Sequence, residues 1–197
     1  LARHPVVQPM QATVRLGPDE HRPTPDAGAV LAFAAMSPHG ALCIAGGTQS
    51  HGHPSFAWAM RRSLLDEVGL FDLCLSGSGD HLMAHGILGD TASPCIQRHL
   101  LGAPAYAAAF GAWAQAMRQR SGGRLAAAPG RALHLYHGPG AGDVYVRRSL
   151  SLAQAGFDPA RDLRATEGEL HAPTRASAAF VAWHRDHFGT IEETRHV

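Results

Sequence analysis

The chain of 197 residues contains neither lysine nor asparagine, so all 17 fixed basic charges are arginine. Without lysine there is no Schiff-base nucleophile and no P-loop. Without asparagine there is no N-glycosylation sequon. Any phosphate contact must come from Arg, His, backbone N–H groups or a metal ion. The Arg-only, Ala- and Gly-rich composition reads as the codon bias of a GC-rich genome. Net charge is scarce too, at +1, which argues against a nucleic-acid patch or a membrane-surface patch. No apolar run approaches a transmembrane segment. The start lacks the basic stretch and apolar run of a secretory leader. Cysteine is limited to Cys43, Cys74 and Cys95, with no C-x-x-C spacing. They read as small buried apolar residues in a reducing compartment, hence a cytoplasmic location, with no zinc or disulfide framework expected.

What is present suits one domain with a sizeable core, covering residues 1–197. Residues 5–16 nearly alternate (Val6, Gln8, Met10, Ala12, Val14, Leu16) and predict a strand bent at Pro9. Residues 17–27 are a Pro-rich, charged loop. Residues 28–36 are apolar and Ala-rich, predicting a buried helix. Residues 37–53, rich in Gly, Ser and His, are expected at the surface near the site. Residues 103–120 predict a long helix with Tyr106, Phe110, Trp113 and Met117 as its apolar stripe. A linker (121–130) leads to a short strand (131–136) ending before His137. A Gly-rich turn (138–143), a helix to about residue 155, a loop (156–162) and a final helix (173–188) complete the chain. Short strands among helices predict an α/β fold with a mixed sheet flanked by helices.

Residues 52–90 carry the chemistry. Phe56, Trp58 and Met60 alternate, as in a strand with one apolar face. Residues 61–68 have helical spacing (Leu64, Leu65, Val68), and Gly69 stops the helix. Gly77-Ser78-Gly79-Asp80 then turns tightly and leaves Asp80 near the N-cap of a second helix. Free N–H groups and the helix dipole favour a carboxylate there. Asp80 is thus either a catalytic base or substrate anchor, or a cap that merely stabilises its helix. His81 and His85 stand four apart on one helix face, as metal-binding pairs do, although no third, carboxylate partner follows at a diagnostic spacing. His51 and His53 flank Gly52 and read as loop histidines or acceptor contacts.

In this order, Gly52, Phe56-Ala57-Trp58-Ala59, Arg61-Arg62, Gly69, Phe71-Asp72 and Gly77-Ser78-Gly79-Asp80 resemble the acceptor-side half of GT-A-type glycosyltransferases. These include the polypeptide N-acetylgalactosaminyltransferases and bacterial relatives. Tyr136-His137-Gly138 and Val6-Val7-Gln8-Pro9 extend the resemblance over roughly residues 4–165. It implies a partial GT-A-like sheet whose donor half, with its Asp-X-Asp metal motif, precedes Leu1, since this chain has no Asp-X-Asp. It implies sugar transfer from a nucleoside diphosphate sugar to a hydroxyl of a glycan, lipid or protein acceptor, with Mn²⁺ or Mg²⁺ neutralising the diphosphate. Asp80 would act on acceptor or sugar, and His137 would complete the metal shell. Gly52, Phe56, Trp58, Arg61, Gly77, Gly79 and His81 would bind substrate, the aromatic faces packing on pyranose C–H groups. The family often has Lys or Arg after its His, whereas here no positive charge follows until Arg147.

Two other readings stand beside it. One is a metal-dependent hydrolase built on His81, His85, His134 and His137. The other is a non-catalytic carbohydrate-binding remnant of the same fold.

Overall fold

The structure is a computed structural model that describes residues 3–19, 29–36, 51–136, 144–166 and 171–193. In chain order it has strands β1 (Val6–Gln8), β2 (Ala12–Arg15) and β3 (Val30–Leu31), helix α1 (Phe33–Met36) and strand β4 (Ala59–Met60). Helices α2 (Arg62–Val68), α3 (Gly79–Ile87), α4 (Pro94–Leu100) and α5 (Pro104–Ser121) come next. Strands β5 (Leu125–Ala127) and β6 (Arg131–His134) precede helices α6 (Val144–Gln154) and α7 (Pro159–Asp162). Strands β7 (Leu163–Ala165) and β8 (His171–Pro173) and helix α8 (Ala178–Glu193) end the described chain. The fold is mixed α/β, with small mixed sheets flanked by helices.

The alternating N-terminal segment bends at Pro9, as its sequence predicts, and the bend separates β1 from β2. Proline has no N–H to give a ladder. Both strands nevertheless run parallel to one partner segment in an unbroken register: Val6 faces Leu125 and Ala12 faces Arg131. The Ala128 N–H donates to the Gln8 carbonyl at 2.8 Å, and the Gln11 N–H donates to the Gly130 carbonyl at 2.9 Å. β4 and β3 add antiparallel edges to β1 and β2, giving two three-stranded sheets in the orders β4-β1-β5 and β3-β2-β6. β7 and β8 form a separate antiparallel pair.

The helices start and stop where local chemistry directs. Pro94 and Pro104 occupy the first turns of α4 and α5, where a missing N–H costs nothing. Gly69 and Gly122, both at positive φ, close α2 and α5. Along α5, Tyr106, Phe110, Ala114 and Met117 are buried at helical spacing, with Trp113 half-buried beside them. Two cores result. One gathers Phe71, Leu82, Ile96, Phe110, Phe157 and Phe180. The other gathers Val6, Phe33, Leu64, Ile87, Met117 and Leu125. Trp113 packs against both.

Several sequence expectations need correction. The strand expected from Phe56 is only Ala59–Met60, because Phe56 takes φ +89° and leaves the extended region. The helix expected over 28–36 is a two-residue strand followed by one helical turn. There, hydrogen bonding to the chain around His53 overrides the Ala-rich composition. Helix α4 was hidden by its brevity and its Ser-Pro start. The last helix begins at Ala178, since Pro173 ends β8. The Gly-rich turn over 138–143 and most of residues 37–53 lie outside the described residues.

Gly86 of α3 packs against α5, and an added Cβ there would sit inside contact distance of the Trp113 ring. Gly111, in the interior of α5, faces open space. The two glycines should respond oppositely to alanine. Gly86→Ala is expected to destabilise by about 1–3 kcal/mol through overpacking. Gly111→Ala is expected to stabilise by about 0.5–1 kcal/mol through helix propensity. Urea denaturation midpoints check both; a neutral Gly86→Ala would contradict the packing described.

Candidate metal centre and the neighbouring aromatic face

Gln8 sets the local architecture. Its fully buried side-chain amide accepts from the Ala34 N–H at 2.9 Å and donates to the His53 carbonyl at 2.9 Å. β1, α1 and the segment at 51–55 are thereby tied to one side chain. Backbone bonds complete the join: His53 N–H to the Leu31 carbonyl at 2.7 Å, and Phe33 N–H to the His53 carbonyl at 2.9 Å. Gly52, at φ +79°, passes so near that a Cβ would lie 2.7 Å from the Ala32 carbonyl oxygen. Only glycine fits there.

This join delivers His51 to α3. His51, His81, His85 and Cys95 each offer a ligand atom, and all four atoms lie within 4.8 Å of one another. The group could hold a metal ion. The imidazole centroids are mutually 4.9–5.1 Å apart, and the Phe33 ring covers His51 and His85. His81 and His85 come from successive turns of α3, Cys95 from the first turn of α4, and His51 from the Gly52 join.

The remaining ring atoms are held from outside the cluster. His51 Nδ1 donates to the Gly52 carbonyl at 2.9 Å. His85 Nδ1 donates to the Asp90 carboxylate at 2.7 Å, both residues being buried. Asp90 is fixed in turn by the Ser93 hydroxyl and by the N–H groups of Ala92 and Ser93, each at 3.0 Å. Burial raises the Asp90 pKa, but the hydrogen bonds from His85 and Ser93 outweigh it and hold the carboxyl below its ordinary range. Nε2 of His85 lies 3.7 Å from Cys95 Sγ. Nε2 of His51 and Nε2 of His81 are buried without a hydrogen-bond partner.

Burial and mutual proximity suppress protonation. Desolvation, then His85, His51, His99 and Arg98, bring His81 down to about 2. Desolvation and then His85 lower His51. Desolvation also lowers His53 and His99, each partly restored by Asp80. Burial and then Asp90 push the Cys95 thiol up.

Beside the cluster lies a second group. Phe56 is 41% exposed, and its ring stands between the rings of His53 at 4.8 Å and His134 at 5.0 Å. Asp80, in the first turn of α3, accepts from the His81 N–H at 2.9 Å, and its charge acts on His53 and His99. Ser78, the N-cap, takes a left-handed conformation. Phe56 and Ser78 are the two non-glycine residues with positive φ among those described.

Gly52, Phe56, Asp80 and His81 are therefore brought close, and Gly77 and Gly79 shape the turn before α3. Gly77 has φ +94° with the Tyr145 ring 3.1 Å from a Cβ built there, and Gly79 sits against Cys74. Trp58 is instead half-buried on the second core, its indole N–H donating to the Pro54 carbonyl at 2.8 Å. Arg61 lines a separate cavity of about 200 Å³ with Glu67, Arg120 and Arg124. His137 lies outside the described residues.

Two expectations about the histidines and cysteines change. The partners of the His81/His85 pair are His51 and Cys95, whereas His134 stands against Phe56. Cys95 is a potential ligand in spite of lacking a C-x-x-C neighbour. The i,i+4 histidine pair was the one sequence signal for this cluster. No family model, curated protein or solved structure matches the chain.

In metal-free protein these histidines make stability depend on pH with a definite sign. Unfolded imidazole titrates near 6.5, whereas folded His51, His53, His81 and His99 titrate lower. The unfolded state therefore binds more protons below about pH 6.5, and stability present above that point is lost as pH falls. Each group contributes up to about 1.4 kcal/mol per pH unit, the half-exposed ones less. Urea midpoints with chelator should fall between about pH 7.5 and about pH 5.5. Equal midpoints would contradict neutral burial.

Proposed function

We propose that this chain is the acceptor side of a GT-A-type glycosyltransferase, moving a sugar from a nucleoside diphosphate sugar to a hydroxyl of a glycan, lipid or protein acceptor. The observation that carries this reading is Phe56. Its backbone is held at φ +89°, and the residue is 41% exposed with its ring between two histidine rings. Strain that exposes an aromatic face, rather than burying it, marks a binding surface. Such a face suits the C–H side of a pyranose.

Asp80 supplies the second element. It stands in the first turn of α3, and its charge reaches His53, which touches the Phe56 ring. A carboxylate there takes the proton of the acceptor hydroxyl or orients the sugar. Mn²⁺ or Mg²⁺ on the diphosphate belongs to this proposal as well, with His137 as the expected ligand. The His/Cys cluster is a poor home for either cation, because both prefer oxygen donors.

The cluster also supports metal hydrolysis weakly. Its four protein donors already satisfy a tetrahedral ion, and a hydrolytic site needs a position for water.

The test uses saturation-transfer NMR with methyl pyranosides of the common hexoses and acetamidohexoses. The chain should bind at least one, and Phe56→Ala should weaken it roughly 2- to 12-fold, as for loss of about 0.5–1.5 kcal/mol of ring contact. In the transfer assay with Mn²⁺ and nucleotide sugars, on a chain that includes the donor half, Asp80→Asn should lower kcat by about 10²-fold or more. No pyranoside binding by the folded chain, or full transfer by Asp80→Asn, would sink the reading.

A further inference from the structure

We propose that His51, His81, His85 and Cys95 hold one zinc ion in a tetrahedral shell of three nitrogens and one sulfur, and that the ion clamps the 51–53 segment to α3 and α4. The inference is independent of the sugar-transfer reading.

Three observations converge on it. The first is donor direction. His51 and His85 each spend Nδ1 on an acceptor outside the cluster, a backbone carbonyl and the Asp90 carboxylate. That fixes the tautomer with Nε2 as the lone-pair nitrogen of both rings. Metal-bound histidines are oriented in this way, by a carbonyl or carboxylate on the far nitrogen. The second is the lack of a partner for two ring nitrogens of the cluster. Nε2 of His51 and of His81 are buried and unpartnered, and His51 is fully buried. A buried acceptor without a donor is costly, and two such atoms within one group of potential ligands call for a cation.

The third is spacing. A tetrahedral zinc with ordinary bond lengths separates its nitrogen and sulfur ligands by about 3.6 Å. His85 Nε2 and Cys95 Sγ stand 3.7 Å apart. The widest pair in the group is at most 4.8 Å apart, so closing the shell needs side-chain shifts of roughly an ångström.

The donor set selects the ion class. Imidazole and thiolate suit zinc, while hard cations take oxygen. Binding converts the Cys95 thiol to thiolate and releases its proton to solvent; no redox step is involved. Four protein donors fill the tetrahedron, so the ion is structural. Its ligands span Gly52's neighbour, two turns of α3 and the start of α4. The zinc thereby also fixes the first turn of α3, which carries Asp80.

The test is metal content and Co²⁺ spectroscopy on the full chain. Protein purified without chelator should carry one zinc per chain. After replacement by Co²⁺ it should show the strong visible bands of a tetrahedral ion and a near-ultraviolet thiolate-to-cobalt band. Cys95→Ser should lose the thiolate band. Cys74→Ser should keep it, because the Cys74 thiol donates to the Gly77 carbonyl outside the group. His51→Ala should lower zinc affinity by at least tenfold. If folded wild-type protein binds neither ion, the proposal fails. It also fails if the thiolate band survives in Cys95→Ser, or disappears instead in Cys43→Ser.

Discussion

Three imidazoles and a thiol share a dry space behind Phe33, and the arrangement of the middle of this chain follows from that crowding. Burial and the neighbouring rings together hold the His51 and His81 imidazoles below their ordinary range. Nε2 of both these rings is buried with no hydrogen-bond partner. The surrounding structure does not relieve the conflict; it enforces it. Gln8 locks the 51–55 segment against β1, Gly52 permits the close passage, and Asp90 with Ser93 fixes His85. A group held so firmly could hold a metal ion.

Helix α3 carries two kinds of chemistry from one short stretch. His81 and His85 turn into the cluster, and Asp80 stands one residue earlier in the first turn. The 51–56 segment is divided in the same way, with His51 inside and His53 and Phe56 on the aromatic face. The geometry of the face therefore depends on the cluster. Loosening the His51 join would release the backbone that holds Phe56 in its left-handed conformation. Loosening α3 would move the carboxylate.

Much of this was legible in the residues. The Pro9 bend, helix α2 with its Gly69 stop, the Gly-Ser-Gly-Asp turn and the α5 stripe are all local patterns, and local patterns are what periodicity reports. The His81/His85 pair was visible as an i,i+4 spacing. Its partners were not. His51 and Cys95 reach it through tertiary packing over 30 and 10 residues, with no motif at either spacing. Phe56 shows the opposite failure. Its alternation with Trp58 and Met60 resembles a strand, but the segment after Pro54 is shaped by the Gln8 side-chain amide donating to the Ser55 carbonyl and by the Trp58 indole donating to Pro54, which periodicity does not register.

The most direct measurement is X-ray absorption at the zinc edge on protein isolated from zinc-replete culture. The account predicts one sulfur near 2.3 Å and three nitrogens near 2.0–2.1 Å around each zinc. It also predicts the outer-ring scattering of imidazole. An all-oxygen shell, a shell without sulfur, or protein that is folded and free of zinc would contradict it.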